Sequence, residues 1–328
     1  MIRLAMLSFW HVHAGDYARQ AQEHPKTEIV ACWDEVPERG REQAAKYDLT
    51  FVEDLDELLA RSDVDGVIVD APTSMHPDVI GRAARAGKHI FTEKVLALGT
   101  DDCEQIIAEV DHAGVTLVVS LPRLYDGYTL AIDELLAGGE LGEVTSVRTR
   151  LSHGGALGKA WLPERFFDPE QCGGGAMVDL GCHPMYLARH FLGQLPSSVN
   201  ASYGHLTDRR VDDNAVVTLH CENGALGVVE AGFVNRHSPF SIEVHGTEGS
   251  LLYGLPDSRL VAKTTTRSDS GWVQIPVPEG TEKPFAQFVS HVEAGTTADE
   301  NVAAALDLTR LMEAANASAV SHSSVRPK

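Results

Sequence analysis

The chain up to about residue 120 alternates short apolar runs with longer amphipathic stretches. Short apolar runs are typical of buried strands, and apolar residues three or four positions apart are typical of helices that pack on a sheet. Strands that alternate with helices predict parallel pairing through right-handed crossovers, and hence a doubly wound dinucleotide-binding sheet. The predicted strands are 4–7, 28–32, 66–69, 89–91 and 115–119, and the predicted helices are 12–24, 37–46, 54–60, 77–86 and 101–112.

The rest of the chain has a different pattern. After a predicted helix at 128–137, alternating segments are separated by turn signals such as Glu222-Asn223-Gly224, which predicts an open, mostly antiparallel sheet. We therefore predict an α/β N-terminal Rossmann domain over residues 1–121 and an α+β C-terminal domain with a large open sheet over residues 122–328. The predicted strands of the second domain are 144–151, 198–203, 215–221, 227–233, 241–246 and 251–252, followed by helices at 285–293 and 301–319.

Composition narrows the function classes. The formal net charge of −20 argues against nucleic acid as a partner, because phosphate binding needs clustered Lys and Arg. No apolar run approaches the length of a membrane span, and the apolar N-terminus is too short for a signal peptide. We expect a cytoplasmic protein that does not bind a membrane.

The five cysteines are odd in number and lack CxxC spacing, which signals neither a disulfide framework nor structural zinc. Cys172, Cys182 and His183 form an alternative set of metal ligands. We favour small buried thiols and predict no metal.

The loop after the first strand is where a dinucleotide's pyrophosphate would meet backbone N–H groups and a helix N-terminus. The usual GxGxxG pattern is replaced by Ser8-Phe9-Trp10-His11-Val12-His13, without a glycine. Trp10 would obstruct close backbone approach unless its side chain points away. This loop alone therefore leaves open a plain strand-to-helix turn.

Asp34 ends the second strand and gives the nucleotide site its main support. A carboxylate at this position can accept both ribose hydroxyls and would repel a 2′-phosphate, so NAD is favoured over NADP. Arg39 lies close by and bears on that choice. The alternative is a solvated Asp that starts a turn.

Two further segments, 70–76 and 87–94, reach the carboxyl ends of predicted parallel strands. This is the edge where such sheets bind ligands. Lys94 would project from the end of a buried strand, where an ammonium is costly without a polar task; a surface salt bridge with Glu93 is the alternative. The residues that we assign to cofactor binding are Ser8, Phe9, Trp10, His11, Val12, Asp34, Ala71, Pro72, Thr73, His76, Glu93 and Lys94.

A glycine run, Gly173–Gly175, precedes Asp179 and His183. A helix would place this i, i+4 pair on one face, where the carboxylate could orient the imidazole. Pro184 would clash with the carbonyl of Leu180 in a regular helix, so we expect a kink or a loop there. Such a pair is an ordinary helix contact more often than a catalytic one.

Taken together, these motifs resemble those of the Gfo/Idh/MocA oxidoreductase family, which includes glucose–fructose oxidoreductase and inositol dehydrogenases. The resemblance spans nearly the whole chain, and the order and spacing of the motifs are more specific than any one of them. The matching segments are Ala71-Pro72-Thr73 with His76 (TP-x-x-x-H), 86–94 (AGKHVxxEKP), 138–142 with Val147-Arg148, 173–183 (GGGxxxDxGxH), 213–215 and 222–224.

The resemblance implies a Rossmann domain with a substrate domain, a catalytic group of Lys94, Asp179 and His183, and homo-oligomers, a dimer or a tetramer, formed through the outer sheet face. The chain departs from the family at the glycine-less loop and at Val95, where the family has Pro after the lysine. It also has Tyr186 where many relatives have Asp, which we expect to alter substrate contacts.

These observations predict an NAD-dependent dehydrogenase that moves a hydride to or from a carbinol carbon of a sugar, sugar derivative or cyclitol. In this hypothesis His183 is the general base, Asp179 orients it, and Lys94 stabilises the reacting oxygen. The alternatives are an inactive NAD- or sugar-sensing regulator and a reductase of a non-carbohydrate carbonyl. The residues that we assign to substrate binding are Arg123, Tyr125, His153, Trp161, Arg165 and Tyr186, although Trp161 and Phe166-Phe167 have a core role as their alternative.

Overall fold

The computed structural model describes residues 1–159, 161–238, 240–254 and 256–328, apart from the side chains of residues 268–270. Contacts within the chain define two compact units. The first unit comprises residues 1–121 and 282–306, and the second comprises residues 122–281 and 307–328. The boundary predicted at residue 121 thus omits a later segment that packs with the first unit.

The first unit is built on a six-stranded sheet whose described pairings are all parallel. Its strands are β1 Ile2–Leu7, β2 Thr27–Trp33, β3 Thr50–Phe51, β4 Gly66–Val69, β5 His89–Thr92 and β6 Leu117–Val119, in the order β3-β2-β1-β4-β5-β6. Its crossover helices are α1 Ala14–Glu23, α2 Pro37–Tyr47, α3 Leu55–Leu59, α4 His76–Arg85 and α5 Thr100–Ala113. The strand order reverses between β1 and β4, and ligands of doubly wound sheets bind at such a point.

The second unit is built on an eight-stranded sheet. Its strands are β7 Val144–Ser152, β8 Ser198–Gly204, β9 Asn214–His220, β10 Leu226–Gly232, β11 Ser241–Gly246, β12 Gly249–Tyr253, β13 Leu260–Thr264 and β14 Val273–Ile275, in the order β14-β13-β12-β11-β7-β10-β9-β8. Among the described strands, β7 and β10 pair in parallel and the other neighbours pair antiparallel. Its helices are α6 Gly127–Ala137, α7 Pro169–Cys172, α8 Ala176–Asp179 and α9 Cys182–Leu192.

Two late helices complete the fold, α10 Pro284–Ala294 and α11 Asp299–Ser321. Phe285, Phe288 and Val289 lie at helical spacing on α10 and are buried in the first unit's core. The rings of Phe285 and Phe91 meet edge to face, with centroids 5.5 Å apart. This apolar face is the reason that α10 belongs to the first unit.

The fold class predicted from the sequence is confirmed: a Rossmann-like parallel sheet and a second, mostly antiparallel sheet. Among the helices in the described part of the chain, none combines the length and the apolar character that crossing a membrane requires.

Candidate active site

The loop between β1 and α1 keeps a glycine-like turn without a glycine. Ser8 has a φ of 76°, in the left-handed region that favours glycine. Its hydroxyl oxygen accepts the backbone N–H of Trp10 at 3.0 Å, and the Trp10 side chain is buried. The loop therefore makes the tight turn that a pyrophosphate site needs while the indole packs inside the unit.

Asp34 is buried at the end of β2 and already has four hydrogen bonds. Its carboxylate accepts the backbone N–H groups of Phe9 and Val36, at 2.9 and 2.8 Å, and two guanidinium N–H groups of Arg39, at 2.9 and 2.8 Å. Since a carboxylate has about four acceptor sites, a ribose hydroxyl has to share or displace one of these donors. Arg39 also offsets the negative charge that favours NAD over NADP. The ribose-binding role of Asp34 stays a prediction.

The segment after β4 is connected to the segment after β5 through His76. The ring nitrogens of His76 lie 3.2 Å from the backbone oxygens of Ala71 and of Leu96, two residues beyond Lys94. Burial lowers the pKa of His76 to about 4. The buried ring of His76 is therefore placed to position the segment that carries Lys94.

Glu93 and Lys94 follow β5 and are both buried. The ammonium nitrogen of Lys94 lies 4.0 Å from Oε1 of Glu93, and the bond between Lys94 and Val95 is cis. The other oxygen of Glu93 accepts the hydroxyl of Tyr17 and lies 3.1 Å from Nδ1 of His13 and 3.9 Å from Nδ1 of His11. Burial would raise the pKa of Glu93, but the two imidazoles hold it well below its usual range. The alternative interpretation of Lys94 as part of a surface salt bridge is wrong, because both side chains are buried.

Asp70, directly after β4, is a second buried carboxylate at this sheet edge. Among the described residues, neither of its carboxylate oxygens has a hydrogen-bond partner. Burial and the nearby charge of Glu93 raise its pKa well above its usual value. Its backbone oxygen accepts the N–H of His11 at 3.1 Å, so Asp70 is attached directly to the β1–α1 loop.

In the second unit, Asp212 organises the glycine run. Its carboxylate accepts the N–H groups of Gly175 and Met177, at 2.8 and 2.9 Å, and its backbone oxygen accepts that of Ala176 at 2.8 Å. A Cβ on Gly175 would lie 2.0 Å from the backbone oxygen of Asp212. Glycine is therefore required there for the backbone to approach Asp212 this closely.

Asp179 and His183 do not lie on one helix. Asp179 ends α8, Leu180 and Gly181 interrupt the helix, and His183 lies in the first turn of α9. The predicted kink is confirmed, and Pro184 lies in that first turn, where its missing N–H leaves no intrahelical bond unmade. The single helix face inferred from the i, i+4 spacing is wrong.

The imidazole of His183 is held by Tyr186. Nδ1 of His183 lies 3.1 Å from the Tyr186 hydroxyl, which accepts the backbone N–H of Arg123 at 3.1 Å. Both rings are buried, and burial raises the pKa of Tyr186 well above its usual value. Tyr186 therefore connects His183 to the backbone of Arg123, in the segment before α6. Its assignment to substrate binding did not include this role.

The other substrate-binding candidates each have contacts within the second unit. His153 stacks on Phe233 with ring centroids 5.1 Å apart and lies 4.8 Å from the Trp161 ring. Trp161 is 62% exposed, so its alternative role as a core residue is wrong, whereas Phe166 and Phe167 are buried. The Arg123 guanidinium lies over Phe240, Arg165 lies over Phe166, and the backbone oxygen of Tyr125 accepts the N–H of Thr281.

All five cysteines are buried as thiols and not as disulfides. The sulfur of Cys172 lies 3.0 Å from the carbonyl oxygen of Asp168 and 2.7 Å from that of Gly174, and the thiol of Cys182 donates to the carbonyl of Asp179. These backbone contacts match the favoured interpretation of both as small buried thiols.

Sequence reasoning missed Asp212, Tyr17, Asp70 and His13 as members of these arrangements. His11-Val12-His13 is an i, i+2 pair that gives a local signal, but Glu93 is 80 residues away from His13. Asp212 carries no signal of its own, because its partners lie more than 30 residues earlier.

Comparison with known proteins decides the family. A model described as an oxidoreductase family with an NAD-binding Rossmann fold matches residues 12–121, and a Gfo/Idh/MocA C-terminal domain model matches residues 129–252. The chain belongs to the Gfo/Idh/MocA family. It is an oxidoreductase-family chain with an NAD-binding Rossmann domain, as the sequence predicted.

Curated Gfo/Idh/MocA relatives match over most of their length. The chain is 27% identical over 281 residues to a dTDP-3,4-didehydro-2,6-dideoxy-alpha-D-glucose 3-reductase of Saccharopolyspora spinosa, covering 84% of this chain and 82% of the relative. It is 30% identical over 240 residues to a scyllo-inositol 2-dehydrogenase (NAD(+)) of Bacillus subtilis, covering 70% and 67%. The crystal structure of an oxidoreductase domain protein from Kribbella flavida matches with a TM-score of 0.85 and 25% identity, and the match covers the whole of both chains.

The residues present fit a dinucleotide. The glycine-like turn at Ser8, the start of α1 beyond the loop and the reversal of strand order between β1 and β4 are the features that hold a pyrophosphate in such sheets. These residues would hold the pyrophosphate of NAD at the carboxyl edge of the first sheet, and the family model matched to this unit is one of an NAD-binding Rossmann fold.

Proposed function

We propose that the chain transfers a hydride between NAD and a carbinol carbon of a sugar, sugar derivative or cyclitol. The observation that carries the proposal is Lys94, a lysine with a side chain only 2% exposed at the carboxyl end of β5 in an NAD-binding sheet. Burying an ammonium is costly, and a developing alkoxide repays that cost. The two curated relatives are named for a sugar and a cyclitol substrate, which supports the substrate class.

In this mechanism NAD supplies the hydride acceptor. Lys94 donates a hydrogen bond to the reacting oxygen and favours its anionic form. His183 takes the hydroxyl proton, a task for which enzymes use imidazole most often. In this proposal Asp179 orients His183, and Tyr186 holds the ring through Nδ1. The carboxylate of Asp179 also acts on His153, whose pKa it raises against the lowering by burial.

The substrate contacts remain a proposal. His153, Trp161 and Arg165 offer aromatic faces and hydrogen-bond donors, which suit the C–H faces and hydroxyl edges of a polyol. Arg123 and Tyr125 stay in this proposed set, together with Tyr186.

The test begins with NAD and a panel of sugars and cyclitols, with NADH formation as the readout. On a substrate found in this way, Lys94→Ala or His183→Ala should lower kcat by about 10²–10⁴-fold. Lys263→Ala and His220→Ala are matched controls, because both side chains are exposed on the second unit's sheet. Nearly full turnover by either site variant would refute the catalytic assignment.

The glycine-less loop favours one second candidate, a regulator that binds NAD or a sugar without turnover. Saturable NAD binding, followed by tryptophan fluorescence, without hydride transfer across the panel would support it. A homodimer or homotetramer, a cytoplasmic location and reduction of a non-carbohydrate carbonyl are predictions for which sedimentation, localisation and substrate screening are the tests.

A further inference from the structure

Three side chains at the edge of the first sheet form a cluster of metal-ligand type that the hydride-transfer proposal does not use as a unit. His11 and His13 come from the β1–α1 loop, and Glu93 follows β5. One potential ligand atom from each residue lies within 4.8 Å of the other two. We propose that His11, His13 and Glu93 bind one divalent transition-metal ion, an inference that goes beyond the proposed function.

The separations suit a small dication. Tetrahedral ligands with bonds of about 2.1 Å lie about 3.4 Å apart. Oε2 of Glu93 is 3.1 Å from Nδ1 of His13 and 3.9 Å from Nδ1 of His11, which brackets that distance. Nδ1 of His11 also accepts the backbone N–H of His13 at 3.2 Å, so a metal ion bound through this nitrogen would replace that hydrogen bond.

The chemistry of the donor set points to the same class of ion. Two imidazoles and one carboxylate form the His₂Glu set of catalytic zinc sites, which leaves a fourth position for water or substrate. Imidazole donors favour Zn²⁺, Co²⁺ and Fe²⁺ over Mg²⁺ and Ca²⁺, which prefer oxygen ligands. A metal ion would take the place of the proton between His13 and Glu93.

Asp70 is an independent observation that points to a cation. It is fully buried beside this loop, and among the described residues neither carboxylate oxygen has a hydrogen-bond partner. Its backbone oxygen accepts the N–H of His11, and β4, which it follows, is paired with both β1 and β5. A dication with two neutral imidazoles and Glu93 carries one net positive charge, and a second buried carboxylate balances it.

Metal binding is measured on the whole chain without NAD or a sugar, using Zn²⁺ and Co²⁺ as probes. Elemental analysis and calorimetry should give one ion per chain, and bound Co²⁺ should show the stronger visible absorption of a four- or five-coordinate site. His13→Ala should weaken affinity at least about 100-fold, and Asp70→Asn about 10- to 100-fold, as for other residues that support a metal site without ligating it.

The control is His112→Ala, which removes an exposed histidine of α5 in the same unit and should leave affinity unchanged. His13 has 41% side-chain exposure, so its truncation does not open the core. Absence of stoichiometric binding to the unaltered chain, or equal affinity of His13→Ala, would overturn the proposal. Because neither measurement uses turnover, its failure leaves the hydride-transfer proposal standing, and the reverse holds too.

Discussion

Removing the Tyr186 hydroxyl tests whether the imidazole of His183 is positioned by this residue. In Tyr186→Phe, Nδ1 of His183 loses a partner at 3.1 Å and the backbone N–H of Arg123 loses its acceptor. Leaving a buried donor without a partner costs about 1–3 kcal/mol of stability. Misalignment worth about 1–2 kcal/mol in the transition state lowers kcat by about 5- to 30-fold, well short of the loss expected for removing the base itself.

The assay combines urea unfolding with the pH dependence of kcat on a substrate from the panel. The acidic limb of that profile, where the general base becomes protonated, should move in Tyr186→Phe, because the hydroxyl fixes which ring nitrogen carries the proton. Tyr203→Phe is the matched control. Tyr203 lies on β8, and its hydroxyl donates to Asn316 at 2.8 Å. The reasoning fails if Tyr186→Phe retains wild-type kcat with an unaltered pH profile.

Three further changes test other parts of the structure. The folded pKa of His76, about 4, is below its ordinary 6.5, so its contribution to stability is complete above pH 6.5 and falls by about 3 kcal/mol as pH drops to 4; urea unfolding at several pH values should show a shallower decline in His76→Gln, and an equal decline would contradict this. Gly175→Ala should destabilise the chain by about 3 kcal/mol or more, because the new Cβ meets the backbone of Asp212, and an unchanged melting temperature would count against this close approach. Arg39→Ala uncovers the charge of Asp34 and should lower the use of NADP relative to NAD by roughly tenfold, about 1.4 kcal/mol, in kcat/KM comparisons; an unchanged ratio would remove Arg39 from cofactor choice.

Five of the first unit's six strands are predicted from the sequence, because their apolar runs are continuous; β3, only two residues long, was not predicted. β4 lies at its predicted residues 66–69, and α4 is displaced by one residue. Strands buried on both faces need apolar residues at nearly every position, so the pattern is unambiguous there.

The strands of the second unit are predicted less completely from the sequence than those of the first. β13 was not predicted, because two of its three buried side chains are Ala262 and Thr264, and small or polar inward residues weaken the alternation. β14 is only three residues long, too short for a periodic signal. The sheet type could be predicted from the longer strands, but its last two members could not.

Which residues belong to the candidate site could be predicted from the sequence, but the contacts between their side chains could not. Lys94 and His183 follow from their motifs, whereas the partners of each side chain depend on distant segments. The bond between Tyr186 and His183 was available from spacing alone, since i, i+3 side chains on a helix are neighbours. The expectation that Asp179 and His183 share one helix was wrong because the chain leaves the helical path after α8. Gly181, which follows α8, packs against the backbone of Met177.

The clamp between Asp212 and the glycine run also constrains how the protein folds. Three backbone N–H groups at the start of α8 donate to Asp212, which lies more than 30 positions later and two residues before β9. Loop closure over that distance has to be achieved before those bonds can form. The turn leading to His183 is therefore expected to take its native shape late, once β9 has joined the sheet, and a folding intermediate without β9 would lack it.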